Sequence, residues 1–219
     1  MRYDTDHKQR TRARVLKEAA ASIRELGPDR VSVATVMGRA GLTHGGFYAH
    51  FGSKDELLVA AIDQMFDEAL AEIEALMDGR EPGEALARYV GFYLSPRHRD
   101  ERAHGCPLPT LSADLPRLTP EARAAYERGA ARVTTAIARR LEALGHPEPG
   151  LLAVSVLSEL VGAMVLARAI ADPERSADIL RASRRALRAR LQLPAAPREY
   201  RGDLTSAATG RSPRAARVQ

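Results

Sequence analysis

Residues 32–51 read Ser32-Val33-Ala34-Thr35-Val36-Met37-Gly38-Arg39-Ala40-Gly41-Leu42-Thr43-His44-Gly45-Gly46-Phe47-Tyr48-Ala49-His50-Phe51. Val33, Val36, Met37 and Ala40 recur at helical spacing and give a short helix one apolar face, with Ser32 as its N-cap. Gly41 supplies a turn, Leu42 plugs the core behind it, and Thr43 caps a second short helix over about 44–51. Phe47 and Phe51, four apart, anchor that helix inward. His44, Gly45, Tyr48 and His50 are distributed over its other faces. Two imidazoles, a phenol and two glycines suit the major groove of a duplex. Gly45 and Gly46 cost about 1 kcal/mol each against alanine inside a helix, and close backbone approach to DNA is the reason that would offset it. The pattern is a helix-turn-helix.

Outward from this element, every long segment reads as helix, with proline and glycine between the periodic stretches and no run of period two. A helix over about 7–26 carries Val15, Leu16, Ala19, Ala20, Ile23 and Leu26 inward and stops at Gly27-Pro28. Ser53 and Glu56 form a capping box, with Glu56 expected to reach the Ser53 amide. That box opens a long helix over about 54–77 with Leu57, Leu58, Ala61, Ile62, Met65, Phe66, Leu70 and Ile73 inward. A helix over about 84–94, a charged loop over 95–102 and a short segment after Gly105-Cys106-Pro107 follow. Thr119-Pro120 starts a helix that Gly145 stops, an apolar helix covers about 151–170, and Asp172-Pro173 starts a last helix ending near Leu193-Pro194. The expected fold is all-α. A three-helix head over 1–52 precedes a larger helical body over 53–194 and a disordered basic tail over 195–219.

Charge is segregated along the chain. Residues 1–54 hold ten Lys/Arg against five Asp/Glu, residues 55–180 thirteen against twenty-one, and residues 181–219 ten against two. A basic head on an acidic body suits phosphate binding by the head. One cysteine, Cys106, excludes an intramolecular disulfide and fits a reducing cytoplasm. The N-terminus has no secretory pattern, and Glu159 and Arg168 interrupt the one stretch of membrane-span length, so a soluble protein is expected. No nucleophile elbow, phosphate loop, dinucleotide fingerprint or zinc motif occurs. Neither an enzyme nor a cofactor is expected, and the spacing of His98, His104 and Cys106 matches no common metal site.

The run Gly41-Leu42-Thr43-His44-Gly45-Gly46-Phe47-Tyr48-Ala49-His50-Phe51-Gly52-Ser53-Lys54-Asp55-Glu56-Leu57 resembles the signature of the tetracycline-repressor (TetR) family, a likeness spanning about Arg10 to Ile62. The resemblance implies a cytoplasmic homodimeric transcriptional regulator, usually a repressor, with a DNA-binding head and an effector-binding, dimerising body. It implies that Ser32, Thr43, Tyr48 and Lys54 grip phosphates while His44 and Gly45 face base edges of a palindromic operator. Helix N-termini attract anions, which supports Ser32 and Lys54 independently. His44, Gly46 and Ala49 depart from commoner residues, which bears on the operator sequence. His50 is assigned no DNA contact, since a histidine at a helix end also caps carbonyls.

For the body, Leu180, Leu187 and Leu191, with Ile179, Ser183 and Ala186, are expected to join the 151–170 helix in a four-helix interface between subunits. The resemblance further implies a cavity for a small molecule, with Met65, Phe66, Tyr89, Phe92, Tyr93, Cys106, Tyr126 and Met164 as candidate lining. Arg97, His98, Arg99 and Arg102 precede Cys106, and Pro107 follows it. Cationic neighbours and a helix start would lower the thiol pKa and make Cys106 a sensor of electrophiles. An alternative is an architectural DNA-binding protein using the basic head and the tail from Arg198 to Arg217.

Overall fold

A computed structural model describes residues 2–195, and these contain helices and no strand. In chain order they are α1 (Arg2–Leu26), α2 (Val33–Arg39), a 3₁₀ segment (His44–Ala49), α3 (Lys54–Met77), α4 (Pro82–Tyr93) and α5 (Pro96–Asp100). A 3₁₀ turn (Arg102–His104), α6 (Leu108–Leu111), a second turn (Leu115–Arg117), α7 (Pro120–Ala143), α8 (Pro149–Ala169) and α9 (Pro173–Arg190) complete it. The basic tail expected over 195–219 lies outside the described residues from 196 onward.

Local chemistry accounts for the boundaries. Ser32, Ser53, Ser95, Thr119 and Asp172 each accept a backbone N–H of the helix they precede. Gly27, Gly41, Gly79 and Gly145 stand at φ between 66 and 84° where helices end. At Gly41 the Leu42 amide donates to Met37 O at 2.9 Å, the wrap-back bond that turns the chain out of α2. The capping box is shifted by one residue: Glu56 Oε2 accepts from the Gly52 amide at 2.7 Å, not from Ser53. Gly52 permits this, since a side-chain carbon there would stand 3.0 Å from that oxygen.

α3 is the spine. Its first turns bury Leu57 and Leu58 in the head, and its later turns bury Leu70, Ile73 and Met77 in the body. α1 packs at its head end and carries α2 against itself, α4 and α7 lie along the rest, and α8 and α9 stack beyond α7. Phe66 lies flat against α7 where Gly129 has no side chain, and its ring meets Tyr126 edge-on at 5.6 Å.

Several expectations need correction. α1 begins at Arg2, five residues early, and Leu26 is 46% exposed, outside the apolar stripe. The charged stretch 95–102 is helical over Pro96–Asp100, because Ser95 caps it and Pro96 pre-sets its first turn. Leu180, Leu187 and Leu191 are buried within the protomer against the body core, so they are unavailable to a partner. The apolar side chains left exposed on this side belong to α8: Leu151, Val154, Val165 and Leu166. α8 is also long and apolar enough to cross a membrane by length and composition alone, although its other face packs on α7 and α9.

Candidate nucleic-acid interface

The segment after the turn is a 3₁₀ helix, not the expected α-helix. Gly46 N bonds to Thr43 O at 3.1 Å and His50 N to Phe47 O at 2.9 Å, both three residues apart. Two consecutive glycines give little help to an α-helix nucleus, and so short a segment fits the tighter winding. Thr43 has extended backbone at the N-cap position but its side chain makes no capping bond. Its hydroxyl is therefore available for an outside acceptor.

Phe47 and Phe51 are buried at 1% exposure and stack with centroids 5.7 Å apart, which fastens the segment to the core. Tyr48 meets Phe47 edge-on at 5.2 Å yet is 70% exposed, so its ring is braced at one edge and open to solvent. Thr43, His44 and Gly45 are exposed as well. A side-chain carbon at Gly45 would meet nothing within 4 Å, so packing does not explain the glycine. At Gly46 it would meet Met37 Cε at 3.6 Å, an ordinary contact.

Ser32 and Lys54 lie 22 positions apart in the chain, and the fold brings them to the rim of one small depression with Ile23, Pro28 and Val33. The N-terminal ends of α2 and α3 thus converge. Unpaired amide N–H groups and an ammonium at such ends favour a phosphate oxygen. Ser32 Oγ accepts from Thr35 N at 3.1 Å and contacts Thr35 Oγ1 at 2.8 Å.

Sequence reasoning left out the first turns of α1. Arg12 stacks over the Phe51 ring with its guanidinium carbon 4.6 Å from the centroid. Burial, then the charges of Lys8, Arg12 and His7, push the His50 imidazole below its ordinary pKa, and His50 Nδ1 has no hydrogen-bond partner. The cationic edge of α1 therefore adjoins the end of the recognition segment. A signal was present in the density of Lys and Arg over 8–14, but only the fold aligns them with His50.

Head and body share a buried strut. Arg24 of α1 is 1% exposed, pairs with Glu68 of α3 at 2.7 Å, and donates to Met65 O at 3.1 Å and Ala103 O at 3.3 Å. Ala103 stands in the turn before Cys106, so the head touches the body at two places.

The expected sensing residues separate into two groups. Tyr89, Phe92, Tyr93 and Cys106 line one cavity with Glu72 and His98, of about 10 Å³, room for a single water molecule. Phe66, Met65 and Met164 are fully buried, Tyr126 is half-buried, and none of them lines that cavity. The thiol chemistry is the reverse of expectation. Burial pushes the Cys106 pKa up, and it outweighs the lowering effects of the Leu108 backbone, Tyr93, Arg24 and Arg168. Its histidine neighbour carries no charge either. His98 Nδ1–H donates to Tyr93 O at 2.8 Å and Nε2 accepts from the Cys106 amide at 3.0 Å, a pattern that only the neutral ring can make. Desolvation holds the His98 pKa down at about 4.

Residues 15–61 match the family model for bacterial regulatory proteins of the tetR family. An HTH-type transcriptional regulator of Mycobacterium tuberculosis is 32% identical over 177 residues, covering 75% of this chain and 87% of the relative. YvdT, an HTH-type transcriptional regulator of Bacillus subtilis, is 28% identical over 90 residues, which span 46% of its own length. Among solved structures, the reduced form of Escherichia coli NemR superposes with a TM-score of 0.73 at 21% identity, covering 85% of this chain and 99% of that one. A TetR-family regulator from Agrobacterium tumefaciens gives 0.72 at 23% identity, covering 86% and 100%. With the family model matched over the helix-turn-helix and a relative 32% identical over most of both chains, the chain belongs to the TetR family of transcriptional regulators.

Proposed function

We propose that this protein is a homodimeric repressor that binds a palindromic operator through Thr43, His44, Gly45 and Tyr48, with Ser32 and Lys54 holding phosphates, and that a small molecule releases it. The observation that carries the reading is the recognition segment, fastened inward by Phe47 and Phe51 while Thr43 to Gly45 and Tyr48 stay exposed. Selection of random duplexes on the purified protein tests it. One enriched palindrome is expected, bound far more tightly than random sequence at physiological salt. Affinity that falls equally for every sequence as salt rises would instead indicate an architectural binder. On the selected operator, Lys54→Ala should weaken binding about tenfold and flatten the salt dependence by about one phosphate contact.

The exposed apolar side chains of α8 support dimerisation through that helix, with α9 beside it. Leu151, Val154, Val165 and Leu166 recur along one side, and Gly162 between them leaves room for close approach. Release is the less constrained step. A ligand in the Cys106 cavity must open it, since it holds about 10 Å³. The Tyr93 hydroxyl, fully buried beside the Cys106 thiol, is the polar group that such a ligand would meet.

Modification of Cys106 is a second release route, favoured by the likeness to NemR, whose solved structure is a reduced form. The raised thiol pKa makes it slow at neutral pH. Operator binding before and after an electrophile, in the native protein and in Cys106→Ser, decides between the routes. Equal responses in the two proteins eliminate the thiol.

A further inference from the structure

A larger opening lies on the far side of the segment that carries Cys106. The 98–106 segment contributes His98 and Cys106 to the small cavity, and Arg99, Asp100 and Arg102 to an open cleft against the α8–α9 junction. That cleft encloses about 350 Å³, within the range of small-ligand sites.

Its polar lining is Arg99, Asp100, Arg102, Arg168 and Ser176, which is three guanidiniums to one carboxylate. The carboxylate is already engaged. Arg99 Nε and Nη2 grip Asp100 at 2.7 and 2.9 Å, and Arg99 Nη1 donates to Ser176 Oγ at 2.8 Å. Ser176 passes the chain on to Ala167 O at 2.6 Å, so this wall is stitched from α5 to α8 and α9.

Arg168 is half-buried, and among the described residues its hydrogen-bond acceptors are neutral. Its Nη2 donates to His98 O at 3.0 Å, its Nε to Arg99 O at 3.2 Å and its Nη1 to Thr110 Oγ1 at 3.5 Å. A guanidinium has five N–H groups, so one on each terminal nitrogen remains. Arg102, exposed on the same cleft, has no carboxylate partner among the described residues. Two like charges therefore face one opening whose single carboxylate, Asp100, is bonded to a third guanidinium, that of Arg99. Burial, with a smaller contribution from the Arg102 charge, lowers the Arg168 pKa despite the opposing effects of Tyr93, Cys106 and Asp100. Beyond the charges, the lining is apolar, with Ile170, Ala171 and Pro173 at the turn into α9.

We propose that this cleft binds a small organic carboxylate, with Arg102 and Arg168 on its oxygens and Ile170, Ala171 and Pro173 against its apolar body. Arg–carboxylate pairs are charge-assisted and bidentate, which suits two guanidiniums with free N–H groups. The bound anion would draw Arg102 toward Arg168. Since Arg102 precedes Ala103, whose carbonyl accepts from Arg24, the site adjoins the strut between body and head.

Calorimetric titration of the full chain without DNA tests the site, using benzoate as probe and benzamide as its neutral counterpart at constant ionic strength. Leaving DNA out keeps the result separate from the repressor reading. Benzoate is expected to bind saturably and raise Tm, and benzamide to do neither. Arg102→Glu, at an exposed position whose side chain makes no hydrogen bond or ion pair among the described residues, should weaken benzoate by about tenfold or more. Cys106→Ser should leave benzoate binding unchanged, because the small cavity is not the site. Failure of benzoate to bind, equal binding of benzamide, or unchanged affinity in Arg102→Glu would each overturn the proposal, and a loss in Cys106→Ser alone would move the site to the small cavity.

Discussion

At the scale of single residues, burial reverses what neighbouring charges suggest. His98 sits in a run of arginines yet stays neutral, because desolvation outweighs the Tyr93 carbonyl that accepts its Nδ1–H and the Glu101 charge. The folded pKa of about 4 lies below the ordinary 6.5. The unfolded chain therefore takes up the proton first as pH falls. This stabilisation is whole above pH 6.5 and is lost progressively toward pH 4, to a total of about 3 kcal/mol. Urea unfolding across that window measures it, and His98→Asn should remove this component of the slope.

Gly45 offers the opposite separation of stability from function. A methyl group there meets no protein atom within 4 Å, so Gly45→Ala should raise stability by up to about 1 kcal/mol. The same methyl stands on the exposed surface of the recognition segment, and operator affinity should fall. Thermal unfolding and operator titration on one sample check both halves. A gain in stability with unchanged affinity would remove Gly45 from the interface.

At the scale of elements, most caps were legible, Thr43 being the expected one whose side chain makes no capping bond, and helix type was not. Ser53 and Glu56 announce the start of α3 because a capping box is a matter of adjacent residues. Whether 44–49 winds as α or 3₁₀ depends on how the aromatic anchors meet the core, which spacing alone does not specify. The α3–α7 contact is of the same kind. Nothing in the sequence marks Gly129 as the partner of Phe66, since they lie on different helices. Gly129→Ala should force the Phe66 ring out of place and cost about 1–3 kcal/mol, read as a lower denaturation midpoint. Gly150→Ala, where the added carbon meets nothing within 4 Å, is the control.

At the scale of the whole molecule, two features join distant parts of the fold or present it to a partner, and each allows a direct test. The first is Arg24, whose guanidinium ties α1 to α3 and to the turn before Cys106. Arg24→Ala should destabilise by about 2 kcal/mol, since it strips Glu68 of its cation and removes the bonds to Met65 O and Ala103 O. The second is the α8 surface. Leu166→Arg should produce monomers in sedimentation equilibrium and abolish operator binding, while the protomer keeps its helicity because Leu166 is 57% exposed. A variant that stays dimeric would place the interface elsewhere.

Periodicity, caps and the Gly41–Leu57 signature were enough to establish an all-helical chain with a DNA-binding head, because those signals are carried by residues within one or two turns of each other. Tertiary structure alone decided which leucines of α9 are spent inside the protomer, which face of α8 is left over, and that Cys106 is buried beside a neutral His98. It also decided that Arg102 and Arg168, 66 positions apart, share one cleft. Each of these depends on which helices meet. Burial and electrostatics are properties of that meeting, and a local pattern of residue types carries no record of it.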